Sequence, residues 1–259
     1  MTEIVLTEAA PIVFAETNGE FVIETTGIIG SGLPPTTGND GFALIEVDSV
    51  AAFRPILESY LVPGFDIASL TVNPSVAEVG QSVATPSFVA SYNRAPDTAE
   101  LTDNDGNPPK NVIATPTAFA SDHTFVKNGN NQSVTFGLAA TEGAEGDSRN
   151  VSIAWRPRTF WGVGPDGYST EADIESLANS ALDNNRQRTF TVTAGAGEHI
   201  YYAYPAAYGA ATFFVEGFEG GFDLVSDSIS VTNPFGVAQN YRLYKSTNPN
   251  LGTTTVEVR

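Results

Sequence analysis

The sequence predicts a mainly β chain: two small β-sandwich domains preceded by an N-terminal mixed segment of strands and short helix. Three observations predict it. Short runs rich in β-branched and aromatic residues recur along the chain and alternate apolar with polar. Turn residues divide those runs, with 24 Gly and 16 Pro in 259 residues. Charged residues make up only 16% of the chain, too few Lys and Glu for a helical bundle, and helical periodicity is confined to short stretches.

Residues 1–66 read as an anchoring segment. Ile4-Val5-Leu6, Ile12-Val13-Phe14 and Phe21-Val22-Ile23 are β-type runs, the last two separated by the turn-like Thr17-Asn18-Gly19. Residues 30–38 read as a loop and 43–47 as a strand. Asp48 or Ser49 can cap a short helical stretch, and Pro55 can start a further turn through Tyr60.

Residues 67–158 predict the first sandwich. Ser87-Phe88-Val89-Ala90-Ser91-Tyr92 alternates. Val134, Phe136 and Leu138 share one strand face, and Val151, Ile153 and Trp155 share another. Asn73-Pro74, residues 105–109, residues 128–131 and residues 142–147 supply the turns between strands. This spacing suits an immunoglobulin-like sandwich without its disulfide.

Residues 159–259 predict a second sandwich with one helix near 170–183. Thr170 and Asp173 form a capping box, and Ile174, Leu177 and Leu182 supply an apolar stripe. Strands then resume: Thr189-Phe190-Thr191-Val192-Thr193, then Ile200, Tyr202 and Tyr204 against Tyr201 and Ala203, then further runs to residue 258.

Charge and cysteine content exclude several functions. Twelve basic against thirty acidic residues give a net charge of −18. Such a surface repels phosphate backbones, so no nucleic-acid partner is expected. Residues 1–70 hold ten acids and a single base, Arg54, which suits either docking to a basic partner or self-repulsion that keeps the chain soluble. The absence of cysteine removes disulfides, thiol nucleophiles and cysteine metal sites. The N-terminus lacks a basic start and long apolar run, and no stretch has membrane-spanning length, so the expectation is synthesis in the cytoplasm and no membrane insertion.

Four groups of residues suggest chemistry. Gly162, Gly164 and Gly167 match Gly-x-Gly-x-x-Gly between a strand and a helix, but Pro165 removes an amide and Asp166, Glu171 and Asp173 crowd the helix start, so no cofactor is expected. Residues 103–107 offer oxygens at alternate positions, yet Gly106 and Ala114 stand at the wrong places for a calcium loop, so a hairpin turn is expected and no metal. His123 and His199 form no catalytic motif, His199 reading as a loop residue at a strand start, and no Gly-x-Ser-x-Gly elbow occurs; the chain is expected not to be an enzyme. The aromatic cluster of Tyr201, Tyr202, Tyr204, Tyr208, Phe213, Phe214, Phe218 and Phe222 fits core packing and a subunit interface equally. Trp161, Tyr201, Tyr204, Tyr208 and Phe218 are its candidates for an interface or for stacking on glycan.

Two stretches carry a family resemblance. One runs from Arg149-Asn150-Val151-Ser152-Ile153-Ala154-Trp155-Arg156 through Pro157-Arg158-Thr159-Phe160-Trp161-Gly162-Val163-Gly164. The other includes Arg188-Thr189-Phe190-Thr191-Val192-Thr193-Ala194-Gly195, Tyr201-Tyr202-Ala203-Tyr204-Pro205, Gly217-Phe218-Glu219-Gly220-Gly221-Phe222 and Ser230-Val231-Thr232-Asn233. Over residues 67–259 they resemble β-sandwich regions of tailed-bacteriophage virion structural proteins of tail-fibre and baseplate type. The resemblance implies a non-enzymatic, tail-associated component that forms homotrimers, contacts other virion proteins and resides in the virion. A head decoration or spike protein, and a module that binds host-surface glycan, are the alternatives. It supplies no active-site residues.

Overall fold

The computed structural model describes residues 64–259 throughout and, before them, strands β1 (Ile12–Thr17), β2 (Glu20–Thr25) and β3 (Ile45–Val47). The other expectations for residues 1–63 lie outside the described residues. The chain divides into two units, Met1–Gly64 and Phe65–Arg259. In the first, β1, β2 and β3 form an antiparallel sheet in that order. The β1–β2 ladder ends at Thr17 opposite Glu20, where the sequence places Asn18-Gly19.

The second unit opens with β4 (Ile67–Asn73), β5 (Val76–Glu78), β6 (Val83–Ala84), β7 (Ser87–Tyr92), β8 (Thr98–Asp103), β9 (Lys110–Asn111), β10 (Ala118–Ala120), β11 (Thr124–Phe125), β12 (Gln132–Glu142) and β13 (Glu145–Arg156). A three-stranded sheet, β10-β7-β4, faces a five-stranded sheet, β5-β13-β12-β8-β9. Alternation fixes what lies between them. Val134, Phe136, Leu138, Ile153 and Trp155 are wholly buried, together with Ile67 and Phe88 from the facing sheet. The Phe136 ring meets Phe88 and Phe125 edge-on, with centroids 4.9 and 5.0 Å away. Trp155 satisfies its indole N–H on the Gln81 carbonyl at 2.8 Å, so its large apolar surface is buried without an orphaned donor.

The remaining elements are β14 (Arg158–Pro165), α1 (Glu171–Glu175), β15 (Asn179–Leu182), β16 (Arg188–Ala194), β17 (Glu198–Pro205), a 3-10 turn at Ala206–Tyr208, β18 (Phe213–Val215), β19 (Phe218–Glu219), β20 (Phe222–Thr232), β21 (Ala238–Ser246) and β22 (Gly252–Val258). The sheet β15-β14-β17-β21-β20 packs on the sheet β16-β22-β18-β19. Tyr202, Tyr204, Phe190, Phe213, Tyr244, Val256 and Val258 fill the space between them. The other face of the five-stranded sheet is covered by the segment around α1: Ile174 and Leu177 pack on Tyr201, Ala203, Tyr241 and Leu243.

The helix is shorter than the sequence suggests. Thr170 caps it, its hydroxyl accepting from the Asp173 amide, and the Asp173 carboxylate accepts in turn from the Thr170 amide at 2.8 Å, as the capping box predicts. It ends at Glu175, however, and Asn179–Leu182 pairs antiparallel with Arg158–Trp161 instead. Ladder bonds to a neighbouring strand replace the helical bonds that a fourth turn would have made. No helix among the described residues is long and apolar enough to cross a membrane.

Candidate functional site

The structure separates the five aromatic residues singled out by the sequence. Tyr201 and Tyr204 are 0% exposed, so neither ring can stack on a ligand or partner. The alternation of Tyr202 and Tyr204 with Tyr201 and Ala203 turns neither set outward, because β17 is covered on both sides: Tyr204 lies in the space between the sheets, and Tyr201 lies beneath α1. Their hydroxyls donate to the Gly209 and Pro165 carbonyls, each at 2.8 Å. Burial pushes both phenols above their ordinary ionisation range.

Trp161 is half-buried. One side meets Phe190, 6.0 Å away, and the Arg188 guanidinium stands 4.1 Å from the ring centroid. Tyr208 is also half-buried; its hydroxyl donates to the Asp183 carbonyl at 3.0 Å, and burial pushes it up to about 12. Phe218 alone of the five stands out, at 79% exposed.

The other motifs resolve into packing. Gly162 and Gly164 lie within β14, not in a phosphate loop. A Cβ on Gly162 would sit 3.0 Å from the Ala178 backbone nitrogen, and one on Gly164 only 2.5 Å from the Tyr168 ring. Glycine there lets the α1 segment lie directly on the strand. In the loop after β8, the Asp103 carboxylate accepts from the Asp105 amide at 2.9 Å and from the Asn107 side chain, while Lys127 pairs with Asp105. Among the described residues no group of three or more His, Asp or Glu side chains stands where it could hold a metal ion. His199 lies inside β17, not in a loop, and is buried; its Nδ1 is 2.7 Å from the Ser246 carbonyl.

Two further features emerge from the fold, and the first had no sequence signal because it joins distant segments. The first is a cavity of about 260 Å³ at the seam between the two sandwiches. Phe160, Tyr241, Val231 and Pro234 give it apolar walls, and Glu78, Arg158, Glu175 and Gln239 give it polar ones. Arg158 holds Glu78 through Nη2, 2.7 Å from Oε2, and donates Nη1 to Ser180 Oγ at 2.9 Å. The hydrogen bond to Glu78 raises the Arg158 pKa further. Across the same seam the Asn233 side chain donates Nδ2 to the Val79 carbonyl at 2.6 Å.

The second is an exposed margin on the C-terminal sandwich. β19 and β20 are the outermost strands of its two sheets, and only Gly220-Gly221 separates them in sequence. Phe218, Leu224 and Val225 are exposed there, at 79%, 47% and 37%. β20 pairs with β21 on one side only, with register shifts between Leu224 and Ser226 and between Ser226 and Ile229.

No protein-family model matches this chain, and no curated protein matches it. A solved structure, the α-L-rhamnosidase of Streptomyces avermitilis complexed with L-rhamnose, is similar over 75% of this chain and 23% of that chain, with 10% identity and a TM-score of 0.21. A likeness this slight carries no argument about fold or chemistry.

Proposed function

We propose that this chain is a non-enzymatic structural component of a bacteriophage virion, tail-associated, whose β-domains assemble symmetrically with copies of themselves. The family resemblance of residues 67–259 supports the particle setting. The structural observation that carries the assembly reading is the apolar margin at Phe218, Leu224 and Val225 on two open strand edges. An open edge is a row of unpaired amides and carbonyls, which soluble monomers blunt with lysine, proline, bulges or very short strands. Residues 218–232 contain no lysine, proline or arginine, and despite the short β19 and the register shifts of β20 the apolar Phe218, Leu224 and Val225 stay exposed. Copies that pair there cover the phenylalanine and satisfy the edge together. A homotrimer is the assembly proposed.

Mass spectrometry of purified particles tests the reading, with immunogold labelling to place the chain on tail or head. Its absence from the particles would sink the proposal, and label on the head would move it to a decoration or spike protein. The seam cavity favours a second reading, a module binding host-surface glycan, because it sets aromatic walls beside planar polar groups, as sugar recognition requires. Failure to bind host cells or isolated host glycan would remove that reading and leave the first intact.

A further inference from the structure

The polar groups that line the seam cavity divide into those already held by the fold and those left open to a ligand. Arg158 is the only basic side chain among them, and each of its nitrogens is engaged. Nε and Nη2 reach the Glu78 carboxylate at 3.4 and 2.7 Å, and Nη1 donates to Ser180 Oγ at 2.9 Å. Asn233 is occupied at both ends: Nδ2 donates to the Val79 carbonyl, and Oδ1 accepts from the Phe235 and Val237 amides. The Tyr241 hydroxyl donates to the Arg158 carbonyl at 2.7 Å. Gln239 gives its Nε2 to Asn130 Oδ1, which leaves Oε1 as an acceptor. Glu175, the last residue of α1, is exposed, and its carboxylate has no hydrogen-bond or ion-pair partner among the described residues.

The charge balance follows from this division. Two carboxylates line the cavity against one guanidinium, and that guanidinium neutralises Glu78. Glu175 carries the uncompensated charge, and the open groups at Glu175 and Gln239 are acceptors. A ligand that fits brings donors and positive charge. An anion would meet the Glu175 carboxylate and an arginine that another carboxylate already holds.

The apolar walls define the rest of the ligand. The rings of Phe160 and Tyr241 stand with centroids 5.9 Å apart at 59°. Such rings cover the apolar face of a sugar, and their own faces attract cations. At about 260 Å³ the cavity is smaller than the sites of about 300–1,000 Å³ that take drug-sized ligands, so it suits one sugar ring and not a chain of them.

We propose that the seam cavity takes an amino sugar, with the ring against Phe160 and Tyr241, the ammonium group at Glu175 and Gln239 Oε1 as a further acceptor. This names the sugar class for the glycan reading of the cavity and rests on that reading; it is independent of self-assembly at β19 and β20.

Ligand-observed NMR titration of the full chain tests it, with glucosamine, glucose and glucuronate as cationic, neutral and anionic probes of one ring size. At about pH 6 amines are protonated and ordinary carboxylates are ionised. Glucosamine is expected to bind about three- to fivefold more tightly than glucose, the range that an exposed ion pair supplies, and glucuronate to bind most weakly. Glu175→Gln should bring glucosamine to the affinity of glucose and leave glucose unchanged. Glu175 is exposed and belongs to neither hydrophobic core of the second sandwich, so the variant is expected to fold. Glu100→Gln removes a charge on β8 outside the cavity and should keep the preference, which separates Glu175 from the general attraction of an acidic chain for cations. Butylamine, an ammonium without a ring, should bind more weakly than glucosamine. Equal affinity for glucosamine and glucose overturns the amino-sugar assignment and leaves the glycan reading standing, whereas no binding of any sugar removes both. Tightest binding of glucuronate overturns the proposal. So does butylamine that matches glucosamine, a preference that survives Glu175→Gln, or one that Glu100→Gln abolishes equally.

Discussion

Arg158 crosses the seam between the two sandwiches and sets its Nη2 2.7 Å from Oε2 of Glu78, a carboxylate only 5% exposed. Nε lies 3.4 Å from Oε1, so the pair is forked. Glu78 ends β5 of the first sandwich, and Arg158 opens β14 of the second. With the Asn233–Val79 bond, it ties the two sandwiches within one unit.

Arg158→Met would leave Glu78 buried and charged without a partner. Removing one member of a buried pair costs about 3 kcal/mol or more. The arginine side chain is 34% exposed, so water takes up part of the loss and about 2 kcal/mol is expected. Glu78→Gln with Arg158→Met removes the stranded charge and should recover part of it. Urea unfolding of the three variants measures this, and equal stability of parent and Arg158→Met would refute it.

Tyr202, Tyr204 and Tyr241 predict loss of stability at alkaline pH. Burial raises all three above the ordinary phenol value of 10.0. A raised folded pKa means that the unfolded state releases its proton first as pH rises. The contribution is therefore whole below pH 10.0 and declines above it, toward the folded values. Tyrosinate absorbance of these rings should appear only as the chain unfolds. Ordinary titration of all tyrosines in the folded protein would contradict the prediction. Tyr204→Phe should shrink the alkaline decline and lose about 1 kcal/mol at neutral pH with the bond to Gly209.

Gly162→Ala tests the packing account of the glycine motif. The added methyl meets main chain at Ala178, which cannot rotate aside, and a loss of about 1–3 kcal/mol is expected. A nucleotide-loop role would instead leave stability intact and change only ligand binding. Thermal denaturation distinguishes the two.

What the sequence revealed depended on whether one face of a strand meets water. Val134, Phe136 and Leu138 alternate with partly exposed residues, so their inward direction was legible. β17 is buried on both faces, and there the alternation of Tyr201 and Tyr202 carries no information about exposure. The capping box at Thr170 and Asp173 was legible because it is local. The strand at Asn179–Leu182 was not, since its ladder partner lies about twenty residues upstream. The seam cavity draws on segments up to about one hundred and sixty residues apart, a distance that no local pattern spans.

Phe218 decides whether the open margin is used. It belongs to neither hydrophobic core of the second sandwich, so Phe218→Asp should leave the melting temperature within about 2 °C of the parent. If copies meet at β19 and β20, the substitution places a carboxylate in an apolar contact beside Glu219 and Asp223, where like charges add to the desolvation penalty. Association should then weaken at least about tenfold, since central aromatic anchors contribute about 2 kcal/mol or more to an interface. Sedimentation equilibrium across a concentration range reads this directly. A parent that stays monomeric at every concentration, or a variant that associates equally well, would remove the margin from the assembly. Phe214→Asp is the matched control. Its ring lies under the Arg259 guanidinium, 4.2 Å from the centroid, and its loss should alter stability without altering association.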